Sequence, residues 1–238
     1  MDKKRKNRSK EEIEHCIMNA AVNLIENKGF LKLAVTAICK EARIEPVTFY
    51  NRYQDLDEFM DEFVKRYDYW FSDIVKMCSV KKDKKEKYLA LMRSLLKSLK
   101  ENKSMQQLLR WELSEQNETT VRTASLREVH TLPLVKEYRS LFSDTSVDIA
   151  AVSSLIVGGI YYIILHGNLS QFSDIDINTD EGEKRIYDAI GYLTERIFSE
   201  LAISRELMDV IQKMKQNNLS LEIISDCTGV SSEIINAI

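Results

Sequence analysis

Nine residues, EPVTFYNRY (45–53), crowd Thr48, Tyr50, Asn51 and Arg52 around the rings of Phe49 and Tyr53, directly behind Pro46. The stretch is too short and too polar for a core helix and too aromatic for an ordinary loop. Hydroxyl, amide and guanidinium groups at this density suit contact with a polar or charged surface. A second feature lies upstream. Residues 1–10, MDKKRKNRSK, carry six positive charges against one negative. Residues 1–54 hold 11 Lys and Arg against 7 acids, whereas the remaining chain holds 23 against 30, for a net charge of −3 overall. A basic arm on an otherwise acidic chain fits a local polyanion contact, and it fits equally a solvated tail with no partner.

Bond-making chemistry finds no support. His15, His130 and His166 lie far apart, and none has a metal-type ligand four residues on. There is no glycine-rich phosphate loop, nucleophile elbow or HExxH. The run DIDINTDEG resembles a calcium loop through Asp174, Asp176 and Asn178, but Thr179 stands where the turn glycine belongs and Arg185 where the bidentate acid belongs. The expectation is a protein that is not an enzyme, with neither cofactor nor metal. Cys16, Cys39, Cys78 and Cys227 are scattered without a CxxC pair, as reduced thiols of a cytoplasmic protein would be. No apolar core follows the basic amino terminus, so no signal peptide is expected.

The elements that would position these residues are helices. Two prolines and seven glycines in 238 residues leave long breaker-free stretches, which predicts an all-α fold. Ser9 and Glu12 form a capping box ahead of a first helix with Ile13, Ile17, Ala20, Ala21, Leu24 and Ile25 inward, stopped at Gly29 as a left-handed terminator. Thr36 is expected to cap a short second helix over 37–42. Arg43-Ile44-Glu45 breaks the chain, and Pro46 opens a third helix. Asp55 and Glu58 cap a long fourth helix carrying Phe59, Phe63, Tyr67, Trp70, Phe71 and Ile74 inward. Further helices are placed near 84–101, 103–115, 119–143 with a possible break at Pro133, 147–167 and 180–203. Residues 149–165 are uncharged over 17 positions, just short of a membrane span, and are expected to form a helix buried on nearly all sides.

A short helix, a tight break and a second short helix with outward polar groups describe a helix-turn-helix. The run GFLKLAVTAICKEARIEPVTFYNRYQDLDEF (29–59) resembles the amino-terminal domain of TetR-family transcriptional regulators (TetR/AcrR). The matching features are Gly-Phe after helix 1, Thr before Ala-Ile in helix 2, Thr-Phe-Tyr in helix 3 and the Leu/Phe pair opening helix 4. A weaker likeness to the family's larger domain runs through LLRWELSEQ (108–116), Arg127-Glu128, GGIYYIILHG (158–167) and IDINTDEGEKRI (175–186).

The resemblance implies an all-α homodimer: a helix-turn-helix domain over 1–54, a helical ligand-binding and dimerisation domain over 55–204 joined through helix 4, and a helical tail over 205–238. It implies a cytoplasmic repressor that binds an inverted-repeat operator in double-stranded DNA and is released by a small-molecule effector of partly apolar character. An interaction module of the same fold acting through a protein partner is the alternative.

Carried onto this chain, Thr36 or its helix end would meet a phosphate. On helix 3, Pro46, Val47, Thr48, Tyr50, Asn51 and Arg52 would face the groove, Val47 near a thymine methyl and Asn51 or Arg52 at base edges or phosphates. Lys4, Arg5, Lys6 and Arg8 would add salt-dependent affinity. Phe49 and Tyr53 would pack inward. Candidates to line an effector pocket are Trp70, Phe71, Tyr88, Met92, Trp111, His130, Tyr162 and His166, all of which also suit plain core packing. The helices near 147–167 and 180–203 are the expected dimer seam.

Four departures from the family pattern bear on DNA contact. Arg43 stands where glycine is usual, Glu45 where a small cap is usual, Val47 where glycine is frequent, and Leu56 where a phosphate-binding lysine is usual. The tail LSLEIISDCTGVSSEIINAI (219–238) shows a second helix-turn-helix-like pattern, which also reads as a plain helical hairpin. It carries no Lys or Arg.

Overall fold

The computed structural model describes residues 8–237, so Lys4, Arg5 and Lys6 lie outside the described residues. The described chain is a succession of twelve α-helices with two 3-10 turns. Helix α1 (Lys10–Lys28) starts at Ser9, whose hydroxyl accepts from the Glu12 amide while the Glu12 carboxylate accepts from the Ser9 amide. Gly29 ends it with φ 78° and ψ 169°. This is not the left-handed terminator expected, but an extended mirror conformation that glycine alone adopts readily.

Helix α2 (Val35–Ala42) opens two residues earlier than the sequence suggests. Its N-cap is Ala34, at φ −144° and ψ 144°, and it offers no side-chain cap. Thr36 is therefore an exposed residue inside the first turn rather than the cap. Arg43 follows in the left-handed conformation, at φ 53° and ψ 52°, and Pro46 opens α3 (Pro46–Tyr50).

The long fourth helix is in fact two. Asp55 caps α4 (Leu56–Val64), a 3-10 turn covers Lys65–Tyr67, and α5 (Trp70–Cys78) resumes the run. No local breaker causes this. Arg122 donates to Asp61 from Nε at 3.1 Å and to Asp68 from Nη1 at 2.9 Å, gripping both sides of the bend. His130, on the same helix as Arg122, places Nδ1 3.2 Å from the Asp68 carbonyl.

Helices α6 (Lys84–Glu101), α7 (Lys103–Ser114), α8 (Glu118–Leu141) and α9 (Ile149–His166) follow close to the expected bounds, and α8 runs unbroken through Pro133. Helix α6 is the spine: α5, α7, α9 and α10 all pack on it. Its inward face, Tyr88, Leu91, Leu95, Leu96 and Leu99, is almost wholly excluded from solvent. One continuous core runs from Ile17 to Leu201.

Two elements differ from expectation in ways that matter later. Helix α9 is not enclosed. Only Ile149, Ile160 and Ile164 are buried, while Ala151, Ser154, Leu155, Gly158 and Tyr162 face outward. By length and composition α9 could also cross a membrane, but here its inner side packs on α6, α7 and α8. Helix α10 (Asp180–Gln216) is 37 residues long and outruns the body. At its far end α11 (Leu221–Thr228), a left-handed Gly229 and α12 (Ser232–Ala237) fold back as a hairpin.

Candidate nucleic-acid interface

The unit α1–α3 is held from within by Ile17, Ala21, Ile25, Ile38, Phe49 and Tyr53, all buried. Phe49 packs its ring against Tyr53 at 5.2 Å and against Phe59 of α4 at 5.4 Å. A helix of five residues cannot hold itself, because nucleation costs more than so few hydrogen bonds return. These two rings therefore fix α3, and what remains of it points outward. Val47 is 64% exposed and Tyr50 54% exposed, and Pro46 and Asn51 are exposed as well. The Tyr50 ring stands edge-on to Phe49 at 5.7 Å, which sets its direction. Thr48 is half-buried.

Arg52 departs from the outward position expected of it. It follows the helix end, donates to the Thr48 carbonyl at 2.9 Å and reaches the Lys10 carbonyl at 3.4 Å. The last carbonyls of α3 lack helical partners, and the guanidinium satisfies one of them. Arg8, expected in a solvent-borne arm, donates to the Ala42 carbonyl at 3.0 Å, a favourable place for a cation at the carboxyl end of α2.

The outer edge of α2 carries Thr36, Lys40 and Arg43 at spacings of four and three, all exposed. Sequence reasoning marks Arg43 only as a departure at the turn and misses Lys40, although a cation four residues after Thr36 is legible there. Glu45 precedes α3 as its N-cap residue, with φ −79° and ψ 147° but no capping hydrogen bond. Its charge is felt inside the unit: burial, and then the Glu45 carboxylate, push the Cys39 thiol up.

Besides its packing on α4, the unit is joined to α7. Phe30 stacks on Trp111 of α7, the Ser104 hydroxyl donates to Glu26 at 2.9 Å, and Gly29 sits so close to Gln107 that an added Cβ would lie 3.3 Å from its Oε1.

The eight pocket candidates do not converge. Phe71, Tyr88 and Met92 are buried in the main core, with Tyr88 Oη 3.0 Å from Ser153 Oγ. Trp70 donates to Ser98 at 3.0 Å. Trp111 serves the joint just described. His130 stacks on the exposed Tyr69 at 4.9 Å, while Tyr162 and His166 stack on each other at 5.1 Å beside Phe172. Among the described residues there are open depressions of about 760 Å³ between α6, α8 and α10, and of about 590 Å³ between α1 and α4, and none of the eight lines either. Helical periodicity marks a side chain as inward, and close packing uses most inward positions up. No group of His, Cys, Asp and Glu among the described residues could hold a metal ion.

No protein-family model matches the chain, and no curated protein matches it by sequence. Solved structures do match. A TetR-family transcription regulator from Marinobacter aquaeolei VT8 aligns with TM-score 0.53 at 18% identity, over 75% of this chain and 95% of that one. The fatty acid degradation regulator FadR from Bacillus halodurans aligns with TM-score 0.59 at 16% identity, over 78% and 96%. This is the TetR-family fold. A superantigen, PfiT, shares it too, with TM-score 0.56 at 17% identity over 77% and 96%. The TetR fold accounts for the order of elements found here: a long α1 and two short helices carrying α3 outward, then a larger helical body into which α4 leads.

Proposed function

We propose that the protein is a dimeric, DNA-binding transcriptional regulator acting in the cytoplasm, a repressor released by a small molecule of partly apolar character. The observation that carries this reading is α3, anchored by Phe49 and Tyr53 and presenting Val47, Tyr50 and Asn51 to solvent, in a TetR fold. A short helix held rigidly from behind, with mixed polar and methyl groups in front, is suited to the major groove. Thr36, Lys40 and Arg43 on α2 would meet the flanking phosphates, and the basic arm would add affinity that falls with salt.

Dimerisation is supported by the outward face of α9. Ala151, Ser154, Leu155, Gly158 and Tyr162 recur at helical spacing, and Leu155 is 78% exposed. A Cβ added at Gly158 or Gly159 would meet nothing within 4 Å, so the single chain gives these glycines nothing to approach. Helix α10 adds exposed Tyr192 and Leu193. An apolar face of this extent belongs in an interface, and a two-fold pairing places it against its own copy.

Glu45 favours the second reading, a TetR-fold module that acts through a protein partner, because it puts a carboxylate at the helix end that faces phosphate. Binding of the purified chain to the DNA upstream of its own coding sequence, compared with random DNA at moderate salt, separates the two. Preference for the upstream DNA supports the regulator. Equal binding to both overturns it.

A further inference from the structure

We infer that the part of α10 beyond the body, with its carboxy-terminal hairpin, is a second contact between two copies of the chain, continuing the seam proposed for α9 and α10. The inference rests on that dimer reading and extends it to residues 202–237.

Leu201 is the last residue of α10 in the main core. The helix then continues to Gln216, about 22 Å further at 1.5 Å per residue, without a place in that core. Its own support is small. Ile211, Ile224 and Ile235 are buried together, with Leu207, Met214 and Val230 against them. Around this core five large aliphatic side chains stand exposed: Ile203, Val210, Leu219, Leu221 and Ile223. A three-helix unit with so small an interior buries too little to leave that much apolar surface in water at no cost.

The direction in which this surface points identifies what covers it. Tyr192, Ile203 and Val210 are exposed at 61%, 57% and 45%. At about 100° per residue, spacings of 11 and 7 bring all three within roughly 20° of a single line along the helix. The residues facing the body, Ile186, Ile190, Thr194, Ile197 and Leu201, are centred roughly 160° round from Tyr192. The exposed line therefore starts within the proposed seam at Tyr192 and runs without a change of side onto the extension. In the proposed dimer the second copy covers Tyr192, and a partner helix that follows this line covers Ile203 and Val210 as well. Polar residues flank the line at Arg196, Ser199 and Glu206, and Arg196 lays its guanidinium over the Tyr192 ring at 5.3 Å.

Sedimentation equilibrium of the full chain over a concentration series tests this, using wild type, Leu155→Arg in the α9 face, and the double variant Ile203→Glu with Val210→Glu. All three altered positions are exposed, so helicity at 25 °C should match wild type. The expected result is a dimeric wild type, a monomeric Leu155→Arg variant, and a double variant whose dissociation constant rises at least about tenfold. If Leu155→Arg dissociates the dimer while the double variant associates as tightly as wild type, the extension is no contact and the inference falls while the seam stands. If wild type is itself monomeric, the seam fails and takes the inference with it. If the double variant dissociates and Leu155→Arg does not, two copies meet at the extension without the α9 seam, and the inference of a contact continuing that seam falls. Deleting residues 217–238 is the second check, and it should weaken association in the same direction.

Discussion

Phe30 lies flat against Trp111, ring centroids 4.7 Å apart and planes 7° from parallel. This pair is an apolar weld between the α1–α3 unit and α7, with Phe63 of α4 edge-on to the same Phe30 ring at 5.9 Å. The indole also donates to Glu115 at 2.7 Å, so ring and N–H are both satisfied. Together with the Ser104–Glu26 hydrogen bond, these rings couple α7 to α1–α3. Trp111→Ala should cost about 3–5 kcal/mol, and Trp111→Phe, which keeps a stacked ring, markedly less. Urea unfolding at neutral pH measures both, and equal losses would show that the stack itself contributes little.

Arg43 holds a left-handed conformation at the turn between α2 and α3, closed by the Ile44 amide donating to the Cys39 carbonyl at 3.0 Å. A residue with a Cβ is strained there, and glycine is not. Arg43→Gly should therefore stabilise the fold by about 1 kcal/mol, part of the relief being offset by the greater freedom of glycine in the unfolded chain. Chemical denaturation reads this directly, and a loss of stability would contradict it.

Glu45 sits at the amino end of α3 without capping it. Glu45→Ser supplies a hydroxyl cap worth about 1 kcal/mol and removes a charge that repels phosphate. The variant should be slightly more stable and bind DNA more tightly, with the gain shrinking as salt rises. A gain that is indifferent to salt would remove the electrostatic part of this explanation.

Hydrogen bonds from Lys84 at 2.5 Å and then Lys87 at 2.8 Å hold the Glu137 carboxyl below the usual carboxylate range. A carboxylate with a lowered pKa in the folded state contributes stability that is fully present above its unfolded value of about 4.3 and is lost as pH falls through the folded value. Glu137→Gln should cost about 1 kcal/mol at neutral pH, and the difference from wild type should vanish in acid. Thermal unfolding from pH 7 down to pH 3 shows whether the two curves converge.

What could be read from the sequence was local. Ser9 and Glu12 announced the start of α1, and Asp55 that of α4. Pro46 announced α3, and the spacing of Phe49 and Tyr53 told which side of it is buried. What could not be read was tertiary. The bend at 65–69 comes from Arg122, more than fifty residues away, and no residue within it is a breaker. Thr36 looked like a cap because its hydroxyl suits one, whereas the chain turns extended already at Ala34. The apolar run of α9 reads the same whether its outer face is covered by its own chain or by another. Only the packing shows that its own chain leaves it bare. The pocket candidates scattered for a related reason, since an inward position and a cavity wall share one periodicity.

The measurement that tests the central claim most directly is selection of DNA by the purified chain from a random pool, followed by titration of the selected duplex with wild type and Tyr50→Ala at several salt concentrations. Two inverted half-sites with centres about one helical turn, or a multiple of it, apart are expected, with affinity that falls steeply with salt. Tyr50→Ala should bind the selected duplex clearly more weakly. A pool with no enriched motif, or a Tyr50→Ala variant that binds the selected duplex as tightly as wild type, would contradict α3 as the reading helix.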